Sequence, residues 1–303
     1  MNQIISFFLS VYLVLAAIPG AVMGTGENRA ALRTQWQILS GGIWAHRDAE
    51  YDIIIVAGQS NAGGCGVGPV ENEYIPTDLV QLMPQKPNFL GGFQIERAAE
   101  NRRSSDRLPE GNIGLIFARA YIENGLLEPG RKILILKAAA GGTGFLKGDW
   151  GLNDFYYLNM LEMIKTALAL NESNRVKAVL WHQGEGEALY RATEEQQIAN
   201  LTALVNGVRE QCGDLDLPFM AGNLVEEWWT SDPEACLPVI DGTRAVCANA
   251  GRAAFIESDG LTSNYQAVGE VNGGGPDIIH FSREALYIFG QRYFEAYQDI
   301  IAG

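Results

Sequence analysis

From Asp52 onward the chain alternates short apolar runs with longer amphipathic stretches. The runs Ile53–Ala57, Leu79–Met83, Lys132–Lys137, Val176–Trp181, Leu217–Gly222 and Ala253–Ile256 are rich in apolar residues and bounded by Gly, Pro or charge. Continuous apolar runs of this length suit strands covered on both faces. Between them the spacing predicts helices over Ile113–Asn124, Leu152–Leu170, Ala192–Gln211, Pro233–Ala250 and Arg283–Ile301. The helix ends carry matching chemistry. Gly125 offers a stop, and Thr193-Glu194-Glu195 puts acids at a start. Ser231 or Asp232, and Ser282, can accept from first-turn N–H groups. Such alternation predicts an α/β fold with a mostly parallel central sheet and helices on both faces. The stretch 63–107 is irregular, rich in Gly, Pro and Asn, and reads as a long surface loop around the strand Leu79–Met83.

Composition adds bounds. The chain has 303 residues, 47% hydrophobic and 19% charged, enough for one large domain over 51–303. The run Ile4–Met23 is nearly all apolar and uncharged. About 20 such residues span a bilayer. Residues 1–24 therefore read as a secretory signal peptide, with an uncleaved anchor second and a buried N-terminal helix third. Against the first two, no Lys or Arg precedes the run. Either of those two puts the protein outside the cell or in its envelope, with 25–50 as an N-terminal extension. The net charge of -14 speaks against nucleic acid and against anionic membrane surfaces. A membrane is a partner only if the apolar segment stays as an anchor. Cys65, Cys212, Cys236 and Cys247 form no C-x-x-C pair, so the reading is free thiols or one disulfide among the last three. The three dispersed histidines lack metal-ligand spacing, and no metal or other cofactor is expected.

In parallel sheets, ligands bind beyond the carboxyl ends of the strands. The reactive residue types follow those ends here. Ser60 follows the first run, Gly141-Gly142-Thr143 the run at 132–137, and His182-Gln183-Gly184-Glu185 the run at 176–181. Ser60 is the candidate nucleophile. His280 is the candidate base, with Asp277 three residues ahead to fix its tautomer. His182 competes for the base role and Glu185 for the acid role, while His46 reads as structural. Backbone N–H groups of Gly141 and Gly142, with the Gln183 amide, are candidate oxyanion donors. Gln59, Asn61 and Trp150 are candidate substrate contacts. Trp150, Trp228 and Trp229 could stack on a sugar or simply pack in the core. Ala62 occupies the last glycine position of a G-x-S-x-G elbow, so Ser60 does not belong to that motif.

Four blocks, in this order, carry a resemblance: VAGQSNAGG (Val56–Gly64), AAAGGTGF (Ala138–Phe145), WHQGEGEA (Trp181–Ala188) and DIIHFS (Asp277–Ser282). NIGLIFARAYIE (Asn112–Glu123) adds a helix. Together they resemble the SGNH-type hydrolases, and within them the sialate O-acetylesterase and acetylxylan esterase group, carbohydrate esterase family six and its relatives. The resemblance implies a flavodoxin-like three-layer α/β/α sandwich and metal-free removal of O-acetyl groups from sugar hydroxyls. It implies Ser60 as nucleophile, His280 as base, and the Ser60 N–H joined to the glycine block around the oxyanion. Relatives differ over the acid, and this chain keeps both Asp277 and Glu185. Gly186-Glu187 departs from the Ser-Asp that often follows the H-Q-G-E block. The alternatives are a GDSL-like lipase or thioesterase, or an inactive carbohydrate-binding relative.

Overall fold

The computed structural model describes residues 26–270 and 275–303. The proposed signal peptide or anchor at 1–24 lies outside the described residues. Among the described residues no helix is long and apolar enough to cross a membrane.

The strands are β1 (Tyr51–Gly58), β2 (Val80–Pro84), β3 (Glu96–Arg97), β4 (Asn101–Arg102), β5 (Pro109–Glu110), β6 (Lys132–Ala139), β7 (Arg175–His182), β8 (Phe219–Gly222) and β9 (Ala253–Ile256). The helices are α1 (Gly26–Gly41), α2 (Ser60–Gly63), α3 (Ile113–Glu123), α4 (Phe155–Leu170) and α5 (Glu185–Leu189). They continue with α6 (Glu194–Cys212), α7 (Glu226–Ser231), α8 (Pro233–Asn249), α9 (Asn264–Val268) and α10 (Arg283–Ala302).

Seven strands form one sheet in the order β3-β2-β6-β1-β7-β8-β9, parallel except for the short edge strand β3. Without the β2–β3 edge, the remaining five strands stand in the flavodoxin order. The chain crosses from one side of β1 to the other between β6 and β7. The crevice this leaves lies at the carboxyl ends of β1 and β7.

Period-two alternation sorts β1 between two cores. Ile54 and Val56 face Phe117 of α3 and Leu286, Phe289 and Phe294 of α10. Ile53, Ile55 and Ala57 face Ile38 of α1, Met160 and Ile164 of α4, and Leu201 and Val205 of α6. Every residue of β1 is buried, including Asp52. That carboxylate is tolerated because Arg131 Nε (2.8 Å), Arg175 Nε (2.9 Å) and the Tyr121 hydroxyl (2.9 Å) all donate to it.

Helix starts follow local hydrogen bonds. Thr193 and Gln196 form a capping box, so α6 begins at Glu194 rather than Ala192. Asp154 accepts the Gly151 N–H at 2.7 Å, closing a turn that holds 151–154 off α4. Asp232 and Ser282 cap α8 and α10. The segment read as an extension holds α1. Gln37 accepts from Thr166 of α4 at 2.8 Å, and Ile38 is fully buried. All four cysteines are free thiols.

Candidate active site

β1 must turn sharply over the end of β7. Gly58 makes the turn at φ +127°, where an added Cβ would stand 2.0 Å from the His182 carbonyl oxygen. Gln59 is buried and donates its backbone N–H to that same carbonyl at 3.0 Å. Ser60 then opens the single turn of α2, half-exposed at the crevice. Its backbone N–H has no partner inside the helix, because a first-turn N–H never does.

His280 Nε2 stands 2.9 Å from Ser60 Oγ. His280 Nδ1 lies 2.8 Å and 3.0 Å from the two carboxylate oxygens of Asp277. The serine hydroxyl can donate to Nε2 only if the proton sits on Nδ1, and Asp277 accepts it there. Asn264, at the start of α9, donates its side-chain amide to Asp277 at 2.9 Å. The Asn264 backbone N–H donates to the His280 carbonyl, and that of Tyr265 to the Asp277 carbonyl. The Asp277–His280 turn is thus fastened at both ends.

Asn61 fastens it to the serine. Its side-chain amide donates to the Ile279 carbonyl (3.2 Å) and its oxygen accepts from the Phe281 N–H (3.1 Å). Both residues flank His280. Asn61 also donates to Glu185 Oε1 at 2.6 Å. Asn61 is fully buried, so it is a clamp inside the protein and not the substrate contact the sequence suggested.

Glu185 does not join the His280 imidazole. Its carboxylate is buried between Asn61 and His182, whose Nε2 is 3.6 Å away. His182 is fully buried, edge-on to Phe281 and Phe289, with the Tyr293 hydroxyl 3.3 Å from Nδ1. It has no access to a substrate. Gln183 also departs from expectation, because its amide nitrogen is engaged by Glu187. Glu187 in turn accepts from the backbone N–H groups of Phe145 and Leu146, so it holds the glycine loop. Trp150 is not a sugar platform. It is fully buried, donates Nε1 to Thr143 Oγ1 at 2.8 Å and meets Trp181 edge-on at 5.1 Å. Trp228 is buried as well.

The glycine loop faces the serine. A Cβ on Gly141 would lie 3.7 Å from Ser60 Cβ, and Gly142 takes a left-handed φ of +70°. Their N–H groups donate to no acceptor among the described residues.

Charge is arranged around the imidazole. Burial pushes the His280 pKa down, but the Asp277 hydrogen bond and the Asp277, Glu185 and Glu110 charges outweigh it, leaving it above 6.5. Burial pushes Asp277 up, and hydrogen bonds from His280 and Asn264 more than reverse this, holding it below its ordinary value. Burial raises Glu187 to about 7 against the opposing backbone hydrogen bonds.

The sequence pattern of the family described as carbohydrate esterase, sialic acid-specific acetylesterase, matches residues 50–299. The chain belongs to that family. As a carbohydrate esterase it removes O-acetyl groups from sugars. Its fold is that of NanS, with a TM-score of 0.70 at 18% identity over 84% of this chain and 98% of that one. A protein from Arabidopsis thaliana follows at 0.59 and 18%, covering 82% and 98%. A carbohydrate acetylesterase from Xanthomonas citri gives 0.52 and 17%, covering 83% and 57%. No curated protein matches the chain by sequence. Within this esterase family the sequence reading missed Asn264 and the clamp role of Asn61. Their partners lie far away along the chain, and no local motif announces them.

Proposed function

We propose that the esterase works through Ser60, with His280 as general base and Asp277 as its orienting acid. The hydrogen-bonded series Ser60–His280–Asp277 carries this reading. His280 Nε2 takes the hydroxyl proton as Ser60 Oγ attacks the acetyl carbonyl carbon. Charge moves onto the carbonyl oxygen, which the N–H groups of Ser60, Gly141 and Gly142 surround. The intermediate collapses, the C–O bond to the sugar breaks, and the proton on His280 passes to the departing sugar oxygen. Water then attacks the acetyl-Ser60 ester with the same base, releasing acetate and restoring the hydroxyl. Glu185 takes no part in proton transfer and supports Asn61.

Ser60→Ala tests this directly. It is expected to abolish acetate release from acetylated sugars and from p-nitrophenyl acetate, and to abolish labelling by a fluorophosphonate. Full activity of that variant on p-nitrophenyl acetate sinks the assignment.

A further inference from the structure

The β4–β5 hairpin stands beside the serine helix. Asn101 on β4 pairs with Glu110 on β5, so their side chains leave the ribbon on the same face. Asn101 shows where that face looks. Its amide donates to the carbonyls of Gly63 (3.0 Å) and Gly64 (2.9 Å) at the end of α2. Its oxygen accepts from Lys137 Nζ at 2.8 Å, near the end of β6. The next residue, Gly111, donates its N–H to the Gly66 carbonyl at 2.8 Å. Glu110 is therefore held from both sides at the rim around Ser60. The His280 imidazole, the Cys65 thiol and the Lys137 ammonium all lie within electrostatic reach of its carboxylate.

Glu110 is half-buried, and its carboxylate accepts no hydrogen bond from the described residues. Three nearby cations donate elsewhere. Lys137 is on Asn101, Arg103 on Asp106 at 3.0 Å, and Lys147 on the Gly142 carbonyl. The rim thus offers an anionic acceptor with no hydrogen bond of its own among the described residues. A ring carrying several hydroxyls supplies the donors such an acceptor lacks, and charge-assisted bonds of this kind are the strong ones. A second carboxylate brought to the same rim meets like charge.

We propose that Glu110 is a specificity residue: its carboxylate accepts sugar hydroxyls beside the scissile acetyl ester and disfavours a sugar that carries a carboxylate of its own. The site then prefers acetyl esters of neutral sugars over acetylated sialic acid. This rests on the Ser60 esterase reading.

The test compares kcat/KM for p-nitrophenyl acetate, an acetylated xylo-oligosaccharide and O-acetylated sialic acid in the wild type, Glu110→Ala and Glu110→Gln. The wild type is expected to favour the neutral sugar by about tenfold or more, the size of one hydrogen bond to a charged group. Glu110→Ala should lose about 10- to 100-fold on that sugar, mostly in KM, and much less on p-nitrophenyl acetate. Glu110→Gln should narrow the gap between neutral and anionic sugars. Equal losses on all three esters, no loss on any, or a wild type that favours sialic acid overturns the proposal. A wild type inert on all three sinks the Ser60 reading instead. Glu110 is then read by calorimetry, titrating the neutral oligosaccharide into Ser60→Ala and into Ser60→Ala/Glu110→Ala. Equal affinity in the two, or binding to neither, overturns the proposal on its own.

Discussion

Asp277 and Glu185 each stand three residues from a histidine, and their surroundings set them apart. Asp277 sits in a turn that opens on the crevice, so its imidazole can reach the serine. Glu185 sits at the strand–helix junction after β7, with its histidine sealed among aromatic rings. Removing the charge of Asp277 has two effects that point in different directions. The His280 pKa lies above 6.5 because the Asp277 bond and charge outweigh burial. The base must be neutral to accept the serine proton, so the acid limb of kcat/KM belongs above pH 6.5. In Asp277→Asn that limb should move to lower pH, since burial then acts with less opposition. The plateau rate should nevertheless fall by up to about 10⁴, because an amide can donate to Nδ1 and select the wrong tautomer. A pH–rate profile of both proteins reads the two effects separately. An acid limb that stays in place shows that Asp277 does not set the imidazole. At this scale the meeting of Ser60 with His280 was legible in the sequence. The choice of acid was not, because the same i, i+3 spacing occurs twice and only the tertiary fold decides which copy meets the serine.

Short elements do the positioning. The one-turn α5 carries Glu187 to the backbone of Phe145 and Leu146, and the same carboxylate takes the Gln183 amide. Asp149 accepts the Gly144 N–H at 3.0 Å, and Thr143 ties back to the Ala140 carbonyl at 2.7 Å. A glycine loop would otherwise sample many conformations, at a cost in entropy each time it orders. Glu187→Ala should therefore release the loop while leaving the Ser60–His280 contact in place. The expected result is a fall in kcat on p-nitrophenyl acetate of about 10- to 100-fold. This is below the 10²–10³ typical of losing one oxyanion donor outright, since the loop keeps its other ties. Undiminished turnover shows that Glu187 is dispensable to the loop. The longer strands and helices were readable from periodicity, with ends moved by one to three residues where a cap or turn intervened. The one-turn helices α2, α5 and α9 were not readable. They are too short for a period to show, and tertiary hydrogen bonds hold them.

Across the whole molecule, the flavodoxin-ordered strands bring three separate crossovers to one crevice. That much follows from alternation, and it is why the serine, the glycine loop and the H-Q-G-E block fall together. The strand Leu79–Met83 returned as β2, but its partner β3, the β4–β5 hairpin and the packing of α1 on α4 could not be inferred, because the stretches that form them lack a sustained period. Asp277 and His280 arrive from near the chain's far end, on the turn that leads into α10.

The Asn61 clamp has a consequence in time. It joins segments 220 residues apart, and closing so long a loop is slow compared with forming the local strands and helices it connects. Catalytic competence is thus expected to come after the sheet has formed. In refolding from denaturant, hydrolysis of p-nitrophenyl acetate should return later than the far-ultraviolet circular dichroism signal, and simultaneous recovery would contradict this. A partly folded chain, with its sheet formed and α10 still undocked, cannot cut an ester. The protein therefore stays inert until it is complete.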